Sequence, residues 1–251
     1  MQNREKYEGK VFNTNNYGSL IVEKYLGYRN VHVRFIETGY QTSVCLNNML
    51  KGEVKDKGKA TVEGFGTLST AIITEPRVYM LWNNMLKRCY GQQQQDINPT
   101  YVGCTVSDNF RQLPYFQDWC HNQIGFDHFD ENGKPFALDK DILVKGNKVY
   151  SEDSCVFVPR EMNSLLLTRS RFRGSLPLGV SFLNDRKKYR ARCSLGGNNK
   201  TIGYYNTEED AFYAYKQVKE RYIKEVAYKW KGTVDNRVYE SLMNWEVSID
   251  D

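Results

Sequence analysis

The stretch Gly179 to Tyr228, GVSFLNDRKKYRARCSLGGNNKTIGYYNTEEDAFYAYKQVKERYIKEVAY, reads as three short antiparallel strands followed by one long helix. Val180 to Leu183 is apolar and β-prone, and Asn184 to Lys188 is a polar turn. Tyr189 to Leu195 alternates, Gly196-Gly197-Asn198-Asn199 is a hairpin turn, and Lys200 to Tyr205 completes a third strand. Alternation sends Tyr189, Ala191 and Cys193 to one face and Arg190, Arg192 and Ser194 to the other. The helix opens at Asn206-Thr207-Glu208-Glu209-Asp210, where Asn206 or Thr207 caps and the acids sit near the positive end of the dipole. Ala211, Ala214, Tyr215, Val218, Tyr222 and Val226 then recur at spacings of three and four, a stripe predicted to lie on the apolar sheet face. The arginine face is left for solvent or a partner.

Charge falls on that same face. Between Arg169 and Tyr205 stand Arg169, Arg171, Arg173, Arg186, Lys187, Lys188, Arg190, Arg192 and Lys200 against Asp185 alone, while the whole chain carries only +5. The remainder is therefore slightly acidic and the positive charge is local, which is the footprint of phosphate-backbone binding. Charge and period coincide, which favours a nucleic acid over an ordinary solvated hairpin.

Gly179-Val180, Lys188-Tyr189-Arg190-Ala191-Arg192, Ile202-Gly203-Tyr204-Tyr205, Thr207-Glu208-Glu209 and Ala211 with Ala214-Tyr215 resemble the ethylene-response-factor (AP-two/ERF) type of DNA-binding domain. The versions most similar occur in phage and mobile-element proteins, beside HNH endonucleases. The resemblance implies a sheet in the major groove of double-stranded DNA with the helix behind it. Carried over by position, the contacts are Ser181, Arg190, Arg192, Ser194, Asn199 and Thr201, helped by Lys187, Lys188 and Lys200. Plant members often place tryptophan where Thr201 stands and arginine where Ser181 and Ser194 stand, so their sequence preference does not carry over.

The 251 residues, 40% hydrophobic and 14% aromatic, describe an α+β globular chain of more than one unit. No apolar run approaches a membrane span and the N-terminus lacks a secretion-signal core, so the expectation is a soluble protein of the cytoplasm, that of the host cell if phage-encoded. Cys45, Cys89, Cys104, Cys120, Cys155 and Cys193 are scattered without a CxxC pair, which predicts buried thiols and no zinc site.

Residues 1–57 are expected to form a small SH3-like β-barrel from strands at Lys10 to Phe12, Ser19 to Tyr25, Val31 to Ile36 and Gln41 to Leu46. This unit resembles a β module found beside HNH-type domains in phage proteins. Its exposed aromatics, such as Tyr17 or Tyr40, serve either contact or turn packing. Residues 58–75 read as a linker that overlaps a Lys/Glu/Gly-rich connecting run from Gly52 to Gly66. Pro76 opens a helix with the stripe Val78, Leu81, Trp82, Met85 and Leu86, and a second helix is predicted around Leu113 to His121.

Residues 76–167 form the expected middle domain. Ala137 to Leu143, then Lys145 to Ser151, then Cys155 to Pro159 read in order as a strand, a glycine-asparagine turn and a strand, with a helix beginning near Pro159. The pattern is similar to the HNH, or ββα-metal, nucleases of phages and homing elements. That resemblance makes Asp139 the metal-binding acid and Asn147 the loop asparagine, with Asn163 a further catalytic candidate and Mg2+ or Mn2+ the cofactor. The position of the catalytic histidine is Lys140, and a lysine of ordinary pKa is protonated at neutral pH and is no general base. His32, His121 and His128 do not restore the spacing. The domain is therefore read as degenerate. Asp139 and Asp141 either bind a divalent cation, with Glu152 or Asp153, or fix the Asn147 loop through Lys140, Lys145 or Lys148.

Residues 168–251 are the ERF-like domain, closed by apolar anchors at Trp230, Val234, Val238, Leu242, Trp245 and Val247, with a short helix over Asp235 to Asn244 and frayed terminal acids. Three functions follow. The chain binds double-stranded DNA, needing no cofactor. Alternatively it is an active metal-dependent HNH endonuclease or nickase, or it binds a host protein. The oligomeric state and the base sequence read are left open.

Overall fold

The computed structural model describes residues 2–68, 75–166 and 176–251. In chain order the elements are α1 (Gln2–Tyr7), β1 (Val11–Asn13), β2 (Ser19–Gly27), β3 (Asn30–Phe35), β4 (Gln41–Val44), α2 (Leu46–Leu50), β5 (Ala60–Val62) and β6 (Gly66–Thr67). Then come α3 (Pro76–Tyr90), α4 (Gln92–Ile97), a 3₁₀ turn (Pro99–Tyr101), β7 (Thr105–Val106), α5 (Leu113–His121), β8 (Ala137–Asp139), β9 (Val149–Tyr150), β10 (Val156–Val158) and α6 (Arg160–Leu165). β11 (Val180–Leu183), β12 (Lys188–Leu195), β13 (Asn198–Tyr205), α7 (Glu208–Lys229) and α8 (Asn236–Met243) complete a mixed α+β chain.

The chain divides into two compact units, Met1–Cys120 with Val149–Glu152, and His121–Lys148 with Asp153–Asp251. The stretch 76–167, expected as one domain, is shared between them. In the first unit β1 to β4 form an antiparallel meander in chain order. Alternating Leu20 and Val22 on β2, and Val31, Val33 and Phe35 on β3, enter a core with Leu46, Met49 and Val54. Leu46, expected to end a strand, instead starts α2 and anchors it. The Gly52 to Gly66 run is more than a connector. Val54 joins that core, and buried Asp56 accepts hydrogen bonds from the Thr38 hydroxyl (2.7 Å) and the Gly58 amide (2.8 Å), so the run closes the meander. β5 and β6 then pair as a short hairpin. α3 buries Val78, Trp82, Met85, Leu86 and Cys89, and the Trp82 indole donates to the Phe110 carbonyl at 2.8 Å.

β8 and β10 pair antiparallel on either side of the Gly146-Asn147 turn, and between them β9 runs parallel to β7 in the first unit. The strand ends at Asp139 because one oxygen of its carboxylate accepts from the amides of Asp141 and Ile142, both at 2.8 Å, folding the backbone into a turn. The terminal acids are not frayed either. Asp251 pairs with the Lys145 ammonium and accepts from the Ser248 amide at 2.9 Å. All six cysteines are free thiols, five of them buried. Among the described residues no helix is long and apolar enough to cross a membrane.

Candidate nucleic-acid interface

β11, β12 and β13 form a three-stranded antiparallel sheet in chain order. Thr207 caps α7, its hydroxyl accepting from the Asp210 amide at 3.1 Å, with Glu208, Glu209 and Asp210 in the first turn. α7 packs on all three strands and on α8. The contact is close at Gly179, where φ is +79° and an added Cβ would come within 2.1 Å of the Tyr215 ring, so only glycine fits. The apolar stripe of α7 is broader than the spacing predicts. Ala211, Tyr215 and Val226 are buried as expected, Ala214, Val218 and Tyr222 are half-buried, and Phe212, Ile223 and Ala227 are buried on a second flank. The second flank exists because α8, with Val238 and Leu242 buried, needs its own seat on α7.

Register defines the opposite face. Arg190 stands across from Ser181 on β11 and Tyr204 on β13, while Arg192 stands across from Thr201 and Ser194 from Asn199. The shift between Ala191 and Arg192 leaves Ile202 as an extra residue of β13. Cross-strand partners share a face, so Ser181, Lys188, Arg190, Arg192, Ser194, Asn199, Thr201 and Tyr204 lie together. Lys187 is exposed in the turn that leads to β12, in the left-handed region at φ 50°. Lys200 is corrected: it pairs with buried Cys193 and so falls on the α7 side, exposed at its margin. Arg169, Arg171 and Arg173 lie outside the described residues.

The electrostatics of this face are one-sided. Arg190 and Arg192 are half-exposed, and among the described residues neither has a carboxylate within ion-pair distance. Arg190 donates through its ε-nitrogen to the Ser181 hydroxyl at 3.2 Å, which steers the guanidinium without neutralising it. Lys188 donates to the neutral Asn206 side chain, and Arg186 lies over the Tyr204 ring at 4.9 Å. The acid nearby on α6 is already engaged. Glu161 accepts from Lys229 (2.8 Å), the Trp230 indole (3.2 Å) and the Tyr222 hydroxyl (3.4 Å). Burial alone would raise its pKa, but these hydrogen bonds, led by that of Lys229, hold it below the ordinary glutamate value.

The nuclease-like residues fall into a different setting. Burial pushes the Asp139 carboxyl above its ordinary pKa, against the amide hydrogen bonds of Ile142 and Asp141 that pull it down. Lys140 is buried, and its ammonium donates to the Asp141 carboxylate and to the Asn147 carbonyl (2.5 Å), while the Asn147 amide donates back to the Lys140 carbonyl at 2.7 Å. A fixed ammonium thus lies where a divalent cation would need negative ligands, and the donor set does not fit one. No three His, Cys, Asp or Glu side chains converge among the described residues. Asn163 is on α6, half-buried.

Two residues of this region escaped the sequence reading. Tyr204 reaches the arginine face only because Ile202 is extra, and nothing in the strand's alternation announces that. Lys219 was legible: it lies four residues after Tyr215 and three before Tyr222, on the stripe itself, and is half-buried. Comparison with known proteins brings no match, whether to a family model, a curated protein or a solved structure.

Proposed function

We propose that the chain binds double-stranded DNA through the face of the β11–β13 sheet turned away from α7. One observation carries the reading: Arg190 and Arg192 stand side by side on that face, half-exposed and without carboxylate partners among the described residues. Arginines so placed bind phosphates and can reach guanine edges in the major groove, with Ser181, Ser194, Asn199 and Thr201 as short polar contacts beside them. The sheet backed by a capped helix supports the ERF-like reading of this part, and the antiparallel meander supports an SH3-like reading of the first. The order β8, β10, α6 supports an HNH-like frame, in which the contacts of Asp139 and Lys140 act as scaffold and not as a cutting site.

An electrophoretic shift against a random duplex pool, repeated at several salt concentrations, tests the proposal. The expected result is a log–log slope of several units and an enriched motif. Binding that is absent, or insensitive to salt, overturns it.

A further inference from the structure

Beside the hairpin that joins β12 to β13, the second unit carries a cleft of about 1200 Å³, lined among others by Ser181, Arg192, Ser194, Gly197, Asn199 and Lys219. It is continuous with the arginine face, because Ser181, Arg192, Ser194 and Asn199 belong to both. Five cations line it against three carboxylates. The carboxylates are already committed, two of them to Lys229 of the same lining. Asp130 accepts from the amides of Asn132 and Lys134 (both 2.9 Å), and Glu131 and Glu161 share the ammonium of Lys229 at 3.0 and 2.8 Å. Lys219 is different. It is half-buried, and neither it nor Arg192 makes a hydrogen bond or ion pair among the described residues. Burial holds its pKa below the ordinary lysine value, against the smaller opposing influence of the Cys193 thiol. The wall is also fixed in place: Gly196 and Gly197 both take left-handed backbone, and the Gly196 amide donates to the Tyr222 hydroxyl at 2.8 Å.

We propose that this cleft is a phosphate-binding site, with Arg192 and Lys219 as its two cations. An unpaired lysine and an unpaired arginine in one concave, partly desolvated site gain most from a ligand that supplies negative charge and several acceptor oxygens. The inference rests on the DNA-binding reading for the source of that phosphate, a strand backbone running off the sheet; the alternative source is a free polyphosphate.

The test uses the full chain with Lys219→Gln, Lys219→Arg and Arg192→Gln, each first matched to the parent by far-ultraviolet circular dichroism. Arg192→Gln, on the open sheet face, keeps the test alive if the Lys219 variants fail to fold. With a DNA duplex, the salt slope is expected to fall by about 0.9 in Lys219→Gln and in Arg192→Gln and to be retained in Lys219→Arg. A slope unchanged in Lys219→Gln overturns the proposal while leaving the sheet face standing. If the parent chain binds no duplex, the function proposed above fails alone, and inorganic pyrophosphate decides the cleft. A melting temperature that rises with pyrophosphate in the parent and not in Lys219→Gln supports a free polyphosphate ligand; no rise in the parent overturns the site.

Discussion

Lys140 and Arg192 are both cations of the second unit, one just past the end of β8 and the other within β12. Around Lys140 the structure supplies Asp141 and the Asn147 carbonyl and closes over the side chain. Around Arg192 it supplies no acid among the described residues and leaves the side chain half-open. A buried charge must bring its counter-charge with it, whereas a charge left unpaired on a surface retains its full attraction for something outside the chain. Partnering, more than motif position, thus separates a cation that holds the fold from one available to a ligand.

The comparison is broken most decisively at the arginines. Arg190→Ala with Arg192→Ala is expected to weaken duplex binding at least ~30-fold, at about 1–3 kcal/mol per contact, with no change in unfolding midpoint. Titration of labelled duplex alongside urea unfolding checks both halves. A variant that binds like the parent shows that unpaired charge on this face is merely solvated.

Lys140→Met tests the other side. The Asn147 loop loses its ammonium tie and the Asp141 carboxylate its partner. Asp141 is half-exposed and can rehydrate, so the loss is about 2 kcal/mol, short of the 3–5 typical when the remaining charge is fully buried. Urea unfolding should show it, and the salt slope for duplex binding should not move. Plasmid incubated with magnesium should stay uncut by the parent and by Asp139→Ala alike.

Lys229 stands between the two cases, with two carboxylate partners and a side chain 37% exposed. It should behave as a structural cation of small weight. Because Glu161 has a lowered pKa in the folded chain, its contribution is present above the ordinary glutamate value of 4.5 and is lost as pH falls through the lowered one. Melting temperatures between pH 5 and 3 should therefore fall more steeply in the parent than in Glu161→Gln, by the equivalent of about 0.5 kcal/mol after solvent screening.

How far the sequence discloses all this depends on the range of the interaction. The β11–β13 sheet and α7 are legible because alternation, the Gly196-Gly197 turn and the Thr207 cap are local signals, and the α3 and α5 stripes are legible for the same reason. The early end of β8 is not, since it depends on Asp139 turning the backbone with its own carboxylate, an event that looks in sequence like any acid within a strand. The tie between Lys140 and the Asn147 loop was one of two open alternatives and is decided only by burial, which composition does not carry. Along the candidate face, Ser181, Arg190, Arg192 and Ser194 follow from period two, but everything on β13 beyond Ile202 depends on one extra residue.

The finest division lies between Lys188 and Lys200. Both are lysines of the same sheet, and charge alone would treat them as equivalent helpers. Lys188 stands on the arginine face with a neutral amide as its partner, so Lys188→Ala should lower the salt slope by about 0.9. Lys200 pairs with Cys193 between the hairpin turn and the bulge, and its charge projects from the side held by α7. Lys200→Ala should then leave the slope unchanged and alter affinity only through the weak, screened field of one distant charge. Deleting Ile202 removes the bulge and leaves Lys200 opposite Cys193, so Lys200→Ala should leave the slope unchanged in that background too. Equal slopes for Lys188→Ala and Lys200→Ala in the parent would mean that general positive charge, and not the arrangement of the face, draws the duplex.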